Sequence, residues 1–226
     1  MAVLTVVTDF QGVTALSVDW NVFGTALQQS HDGNHLKAIS TLSALMSDAE
    51  SNRDRAAILL GQSSCYSQAG NIAKSWELLE SAKMCAEEER DLLSQVAMSE
   101  GSLYALNNEH DLACEKFARV KSEYKDLLAR PEHDDFAVEL DSRLACSLVE
   151  GGKYVEAIHL FEVLSKREKV EDKQRLQVFY ALALIRMSRL SEAQPLLFEA
   201  MTGNDQTLAQ TASDYLSELS KAPLKL

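Results

Sequence analysis

GKYVEAIHLFEVL (residues 152–164) opens on a turn residue and then spaces three apolar side chains with helical regularity: Ala157, Phe161 four positions later, Leu164 three after that. Steps of four and three place all three on one face of a helix. The same order recurs in GNHLKAISTLSAL (33–45), GNIAKSWELLESA (70–82) and SRLSEAQPLLFEA (188–200), with a weaker copy in NEHDLACEKFARV (108–120). The first slot holds Ala38, Ser75, Ala113, Ala157 and Ala193. The second holds Leu42, Leu79, Phe117, Phe161 and Leu197, and the third Leu45, Ala82, Val120, Leu164 and Ala200.

Upstream of each turn the chain reads as a second amphipathic helix. Its inner face is assigned to Val22, Ala26 and Gln29; Leu59, Ser63 and Tyr66; Gly101 and Tyr104; Leu144, Ala145 and Leu148; and Tyr180, Ala181 and Leu184. The small residues Ala26, Ser63, Gly101, Ala145 and Ala181 mark where the two helices of a pair must approach closely. Helices are expected over 18–31, 34–49, 52–69, 71–87, 89–107, 110–129, 134–150, 153–167, 171–187 and 190–202. An eleventh, over 205–220, has one wet face of the kind that ends a stack.

This arrangement resembles the tetratricopeptide repeat (TPR), in which a small residue and an aromatic on a first helix are followed by a turn, then Ala and an aromatic on a second. The resemblance covers about residues 18 to 202. Gln29 stands where an aromatic is usual, Ser75 occupies an Ala slot, and the family's Pro at the repeat end is missing. The first-slot residues step by 37, 38, 44 and 36. The long step contains ARPEHDD (129–135), which reads as a helix stop and restart. The fold class implied is all-α: a right-handed superhelix of about five antiparallel helix pairs, a TPR-like α-solenoid, with a C-terminal capping helix. The organisation is then an apolar N-terminal segment (1–17), five repeats (18–202), and a capping helix with tail (203–226).

Composition bounds the function. Apolar residues make up 46% of the 226, and Gly and Pro number only 9 and 3, too few for the many tight turns of a sandwich or barrel. The net charge is −12 and the sequence pI about 4.9, so nucleic acid and anionic membranes are poor partners. The first Lys or Arg is Lys37, which leaves no positive region for a signal peptide. The apolar run Ala2–Val7 is far short of the ~20 residues that span a bilayer. Cys65, Cys85, Cys114 and Cys146 form no CxxC pair and read as buried free thiols. A cytoplasmic chain follows.

Catalytic, cofactor-binding and metal-binding residues are expected to be none. Phosphate-loop, dinucleotide, zinc-protease and nucleophile-elbow motifs do not occur. His31 and His35 fall on either side of a turn. His110 and His133 read as helix-start or loop residues, and His159 as a surface residue. Gly151-Gly152 reads as a helix end that needs positive φ. Glu87 to Glu89 and Glu132 to Asp135 read as solvated charge runs.

What remains is a surface. In hairpin solenoids the first helices line the concave side. The residues projecting there are Trp20, Phe23 and Leu27; Leu60, Ser64 and Ser67; Met98, Ser102 and Ala105; Ser142, Cys146 and Val149 beside Arg143; and Val178, Leu182 and Ile185 beside Arg175 and Arg186. This groove is neutral and small-residued in its middle and apolar at its ends, which suits an apolar helix or extended segment. Some TPR proteins clamp the carboxylate end of a chaperone tail with Lys, Arg and Asn on these faces. Repeats one to three lack that set, so no such clamp is expected. The function expected is a non-catalytic scaffold or adaptor for a protein or peptide partner in a complex. A regulatory module holding a small molecule or short peptide between repeats is the alternative, and an enzyme built on helical hairpins the third class. Ala2, Val3, Leu4, Val6, Val7 and Phe10 fit no repeat. They are expected to pair with the Trp20/Phe23 end or with a partner chain, as a route to homo- or hetero-oligomers.

Overall fold

Among the described residues the helices follow one another as five hairpins, each closed by the same turn. The computed structural model describes residues 18–167 and 172–221, so the N-terminal segment 1–17 and its expected pairing lie outside the described residues. The paired helices are α1 (Trp20–His31) with α2 (His35–Leu45), α3 (Asn52–Gln68) with α4 (Ile72–Ala86), and α5 (Arg90–Leu106) with α6 (His110–Glu123). A short α7 (Lys125–Leu128) precedes α8 (Asp134–Glu150), which leads into α9 (Tyr154–Leu164). Next come α10 (Lys173–Arg186) and α11 (Leu190–Met201), with α12 (Gln206–Lys221) at the end. No strand occurs among the described residues.

At each hairpin turn one residue adopts a left-handed conformation: Gly33, Gly70, Asn108, Gly152 and Ser188, with φ between 60° and 84°. The next N–H donates to the carbonyl five positions back, from Asn34 to Gln29, Asn71 to Tyr66, Glu109 to Tyr104, Lys153 to Leu148 and Arg189 to Leu184, all at 2.8–2.9 Å. This bond satisfies a carbonyl that the helix end would otherwise leave open. The left-handed residue lies seven positions after the small residue of the first helix and five before that of the second, so those two residues are always twelve apart. The unequal repeat steps therefore arise between hairpins, not within them.

A Cβ in the left-handed region strains against the following carbonyl, and glycine avoids this. Ser188→Gly is expected to raise stability by about 0.5–1 kcal/mol. A thermal melt checks it, and an unchanged or lower midpoint would contradict the turn geometry.

All fifteen second-helix residues of the repeat pattern are buried, none more than 6% exposed. The small first-helix residues Ala26, Ala145 and Ala181 are fully buried, and Ser63 is 2% exposed. Val22 differs from its assigned inner place: it is 38% exposed. At Gly101 an added Cβ would come within 2.6 Å of the Phe117 ring on the paired helix. Ser75, the departure from the Ala slot, is explained by its partner. The Ser63 and Ser75 hydroxyls lie 2.7 Å apart, and Ser75 donates to the Ser63 carbonyl at 2.8 Å. Two buried hydroxyls satisfy each other where other hairpins place two small apolar residues.

The chain forms two compact units divided between Phe136 and Ala137, in the first turn of α8. In the first unit neighbouring hairpins are tied by polar contacts as well as by the core. Ser30 of α1 donates to Gln68 of α3 at 2.8 Å. Arg53 of α3 pairs with Glu89 at 2.5 Å and Asp91 at 2.7 Å. Buried Glu100 of α5 is held between Lys83 of α4 and Lys116 of α6. The helix expected over 110–129 is broken at Tyr124. Arg90 donates to the Glu123 carbonyl at 2.9 Å, pairs with Asp126 at 2.9 Å and lies 5.6 Å from the Tyr124 ring centre, so one guanidinium caps α6 and anchors α7. In the second unit the Phe161 and Tyr180 rings stack at 5.3 Å between α9 and α10. Gln174 of α10 donates to the Ala200 and Asp205 carbonyls, tying α11 to the start of α12.

Candidate protein-interaction surface

In the first unit α1, α3 and α5 lie side by side, so their free faces are contiguous. The predicted lining residues there separate into a floor and a surface. Phe23, Leu60 and Met98 are at most 1% exposed, so they belong to the core and offer nothing to a ligand. Their burial follows from packing: α1, α3 and α5 each pack on a neighbouring first helix as well as on their own partner. Trp20, Leu27, Ser64, Ser67, Ser102 and Ala105 are partly exposed. Trp20 meets the Phe23 ring at 5.2 Å and bridges the cores of the first two hairpins.

The serines of this surface turn back on their own helices. Ser67 donates to the Ser64 carbonyl at 2.8 Å and Ser102 to the Met98 carbonyl at 3.0 Å. Gln68 donates to Ser64 at 3.3 Å. With its hydroxyls occupied and no formal charge, this strip presents small, neutral side chains close to the helix backbones. A polypeptide can lie against it without stripping water from an ion.

In the second unit Ser142, Cys146, Val149 and Val178 are buried, which removes them from an open lining. Ser142 donates to the Val138 carbonyl at 2.7 Å, and Arg143 pairs with Glu139 at 2.6 Å on the same helix. Arg175, Leu182 and Ile185 remain partly exposed, and Arg186 is exposed. Sequence reasoning missed Phe179, which is also partly exposed and sits beneath the Arg175 guanidinium at 5.6 Å. Its signal was available, because Phe179 follows Arg175 by one helical turn.

Burial makes Cys65 and Cys146 poorly activated thiols. Cys65, Cys114 and Cys146 are buried and Cys85 is half-buried. Burial pushes the Cys146 thiol up to about 12, with Arg175 opposing. Burial also raises Cys65, with the neighbouring Ser30 hydroxyl opposing. A thiolate is the reactive form, so these groups are slow nucleophiles. A thiol-specific reagent on the native protein is expected to label Cys85 first and the other three only on unfolding. Rapid modification of Cys146 would contradict its burial. Among the described residues no group of three or more His, Cys, Asp or Glu side chains is placed to hold a metal ion, and no helix is long and apolar enough to cross a membrane.

No protein-family profile matches the sequence, and no curated protein matches it significantly. Solved structures do match. A single-substitution variant of a Podosopora anserina protein of the kinesin light chain type, with nearly identical TPR-like repeats, superposes with a TM-score of 0.58 at 19% identity, covering 80% of this chain and 92% of that one. Another structure of that protein gives 0.56 at 16% identity over 90% and 97% of the two chains. MamA of AMB-1 gives 0.52 at 21% identity over 79% and 95%. These likenesses establish architecture, and by fold the chain is a TPR-like helical-hairpin repeat protein.

Proposed function

We propose that the protein is a non-catalytic scaffold, an adaptor subunit that holds a partner polypeptide against the free faces of its first helices. The observation that carries this reading is the strip Leu27, Ser64, Ser67, Ser102 and Ala105. These residues are partly exposed on three adjacent helices, neutral, and small apart from the apolar Leu27 at one end. A strip of this shape lets a ligand backbone approach closely while the fully buried floor keeps the helices rigid. Rigidity limits the ordering cost of binding to the partner's side.

Two substitutions test it. Ser64→Arg and Ser102→Arg place long cations on partly exposed positions, where the fold tolerates them. The purified variants should melt within a few degrees of the parent while capture of the partner from the protein's own cells is lost. Capture by both variants at the parental level would remove the strip from the interaction. The buried Cys146 is unsuited to such a test, because an arginine there would disrupt packing before it disrupted binding.

A further inference from the structure

Within the second unit, α10 carries a stripe that its packing leaves open. Arg175, Phe179, Leu182 and Arg186 recur at steps of four, three and four, which places them on one helical face. The first three are partly exposed and Arg186 is exposed, while Leu176, Gln177, Val178, Ala181, Ala183 and Leu184 are buried. The charge pattern of the stripe sets it apart. Arg53, Arg90, Arg119, Arg143 and Arg189 each face a carboxylate. Arg175 and Arg186 have none within ion-pair distance among the described residues. Arg55 and Arg130 also lack an ion pair among the described residues, but Arg55 has no second such cation on its helix and Arg130 lies outside any helix.

In a chain of net charge −12, two arginines without an ion-pair partner, about 16 Å apart along the helix axis, bracket two apolar side chains. Arg175 is already placed over the Phe179 ring, so its fork is partly ordered before any ligand arrives.

We propose that this stripe docks an amphipathic helix of the partner whose own face reads acidic, apolar, apolar, acidic at the same steps. The proposal rests on the scaffold reading above and adds the partner's chemistry to it. A helix is the matching form because acidic residues eleven apart on it repeat the eleven-residue spacing of Arg175 and Arg186. The apolar pair between them covers Phe179 and Leu182, which are otherwise wetted. The four-three-four spacing reads the same in both directions, so the partner helix can run either way.

The test uses the full chain and a fluorescent helical peptide with Glu, Leu, Leu and Glu at those steps, beside a twin with Lys for both Glu. The acidic peptide should bind, and Arg175→Gln and Arg186→Gln should each weaken it about tenfold. The twin should not bind, and the double variant Arg175→Glu/Arg186→Glu should reverse the preference, with helix content by circular dichroism unchanged throughout. Equal binding of the two peptides, no binding of either, or indifference to the arginine substitutions overturns the proposal. Self-association of the full chain that is lost in the Arg→Gln variants, with no peptide binding, would make the occupant a second copy and overturn it equally. Loss of partner capture in Ser64→Arg and Ser102→Arg but not in the arginine variants would leave the scaffold reading standing and remove this one.

Discussion

Gly101→Ala is expected to destabilise the protein by about 1–3 kcal/mol, although the same change in a helix ordinarily stabilises by about 1 kcal/mol. The difference is steric. The new Cβ would meet Phe117 Cε1 at 2.6 Å and Cδ1 at 2.9 Å, in the one hairpin that pairs a glycine with an aromatic. Phe117 is fully buried and has nowhere to retreat. Gly24 of α1 supplies the control: nothing lies within 4 Å of its Cβ position, so Gly24→Ala should stabilise by about 0.5–1 kcal/mol. Adding Phe117→Leu to Gly101→Ala should restore part of the loss. Urea unfolding followed by tryptophan fluorescence reads all three, since Trp20 and Trp76 both lie in the same unit as these residues. A neutral or stabilising Gly101→Ala would mean that α5 and α6 do not approach as described.

Phe161→Ala should cost about 3–5 kcal/mol, because a large buried aromatic is replaced by a cavity. Phe161 is 2% exposed and stacks on Tyr180, so the loss falls on the α9–α10 contact. Hydrogen exchange should show the amides of α9 and α10 losing protection. A loss below about 1 kcal/mol is the size of a surface substitution and would contradict the burial. Together the two sites test one rule in different hairpins: a small residue on the first helix makes room for a bulky one on the second.

That rule was legible in the sequence. Ala157, Phe161 and Leu164, and their counterparts in four other segments, share one buried face of their helix. One buried stripe on an otherwise wetted helix leaves a clean four-and-three period, and all fifteen residues are buried. The turns were legible where glycine marks them, at Gly33, Gly70 and Gly152. They were fainter at Asn108 and Ser188, where a side chain tolerates the same left-handed geometry. The first helices were harder to read, since they pack on several neighbours at once. α3 buries Asp54, Ile58, Gly61 and Cys65 as well as Leu60 and Ser63, nearly its whole circumference. The face opposite its partner is therefore another contact, and Phe23, Leu60 and Met98 fall into the core. The break at Tyr124 was not visible either, because the group that caps α6 there is Arg90, more than thirty positions away.

The scaffold account makes the surface a property of register: positions one and four after each small first-helix residue stay accessible in the first unit at Leu27, Ser64, Ser67, Ser102 and Ala105, apart from buried Ser30. The most direct measurement places a photo-crosslinking side chain at Ser102, and separately at Val163 on the exposed side of α9, in the protein's own cells. The account predicts a polypeptide cross-linked through position 102 and none through position 163. Labelling of a polypeptide from position 163 with silence at position 102 would contradict it.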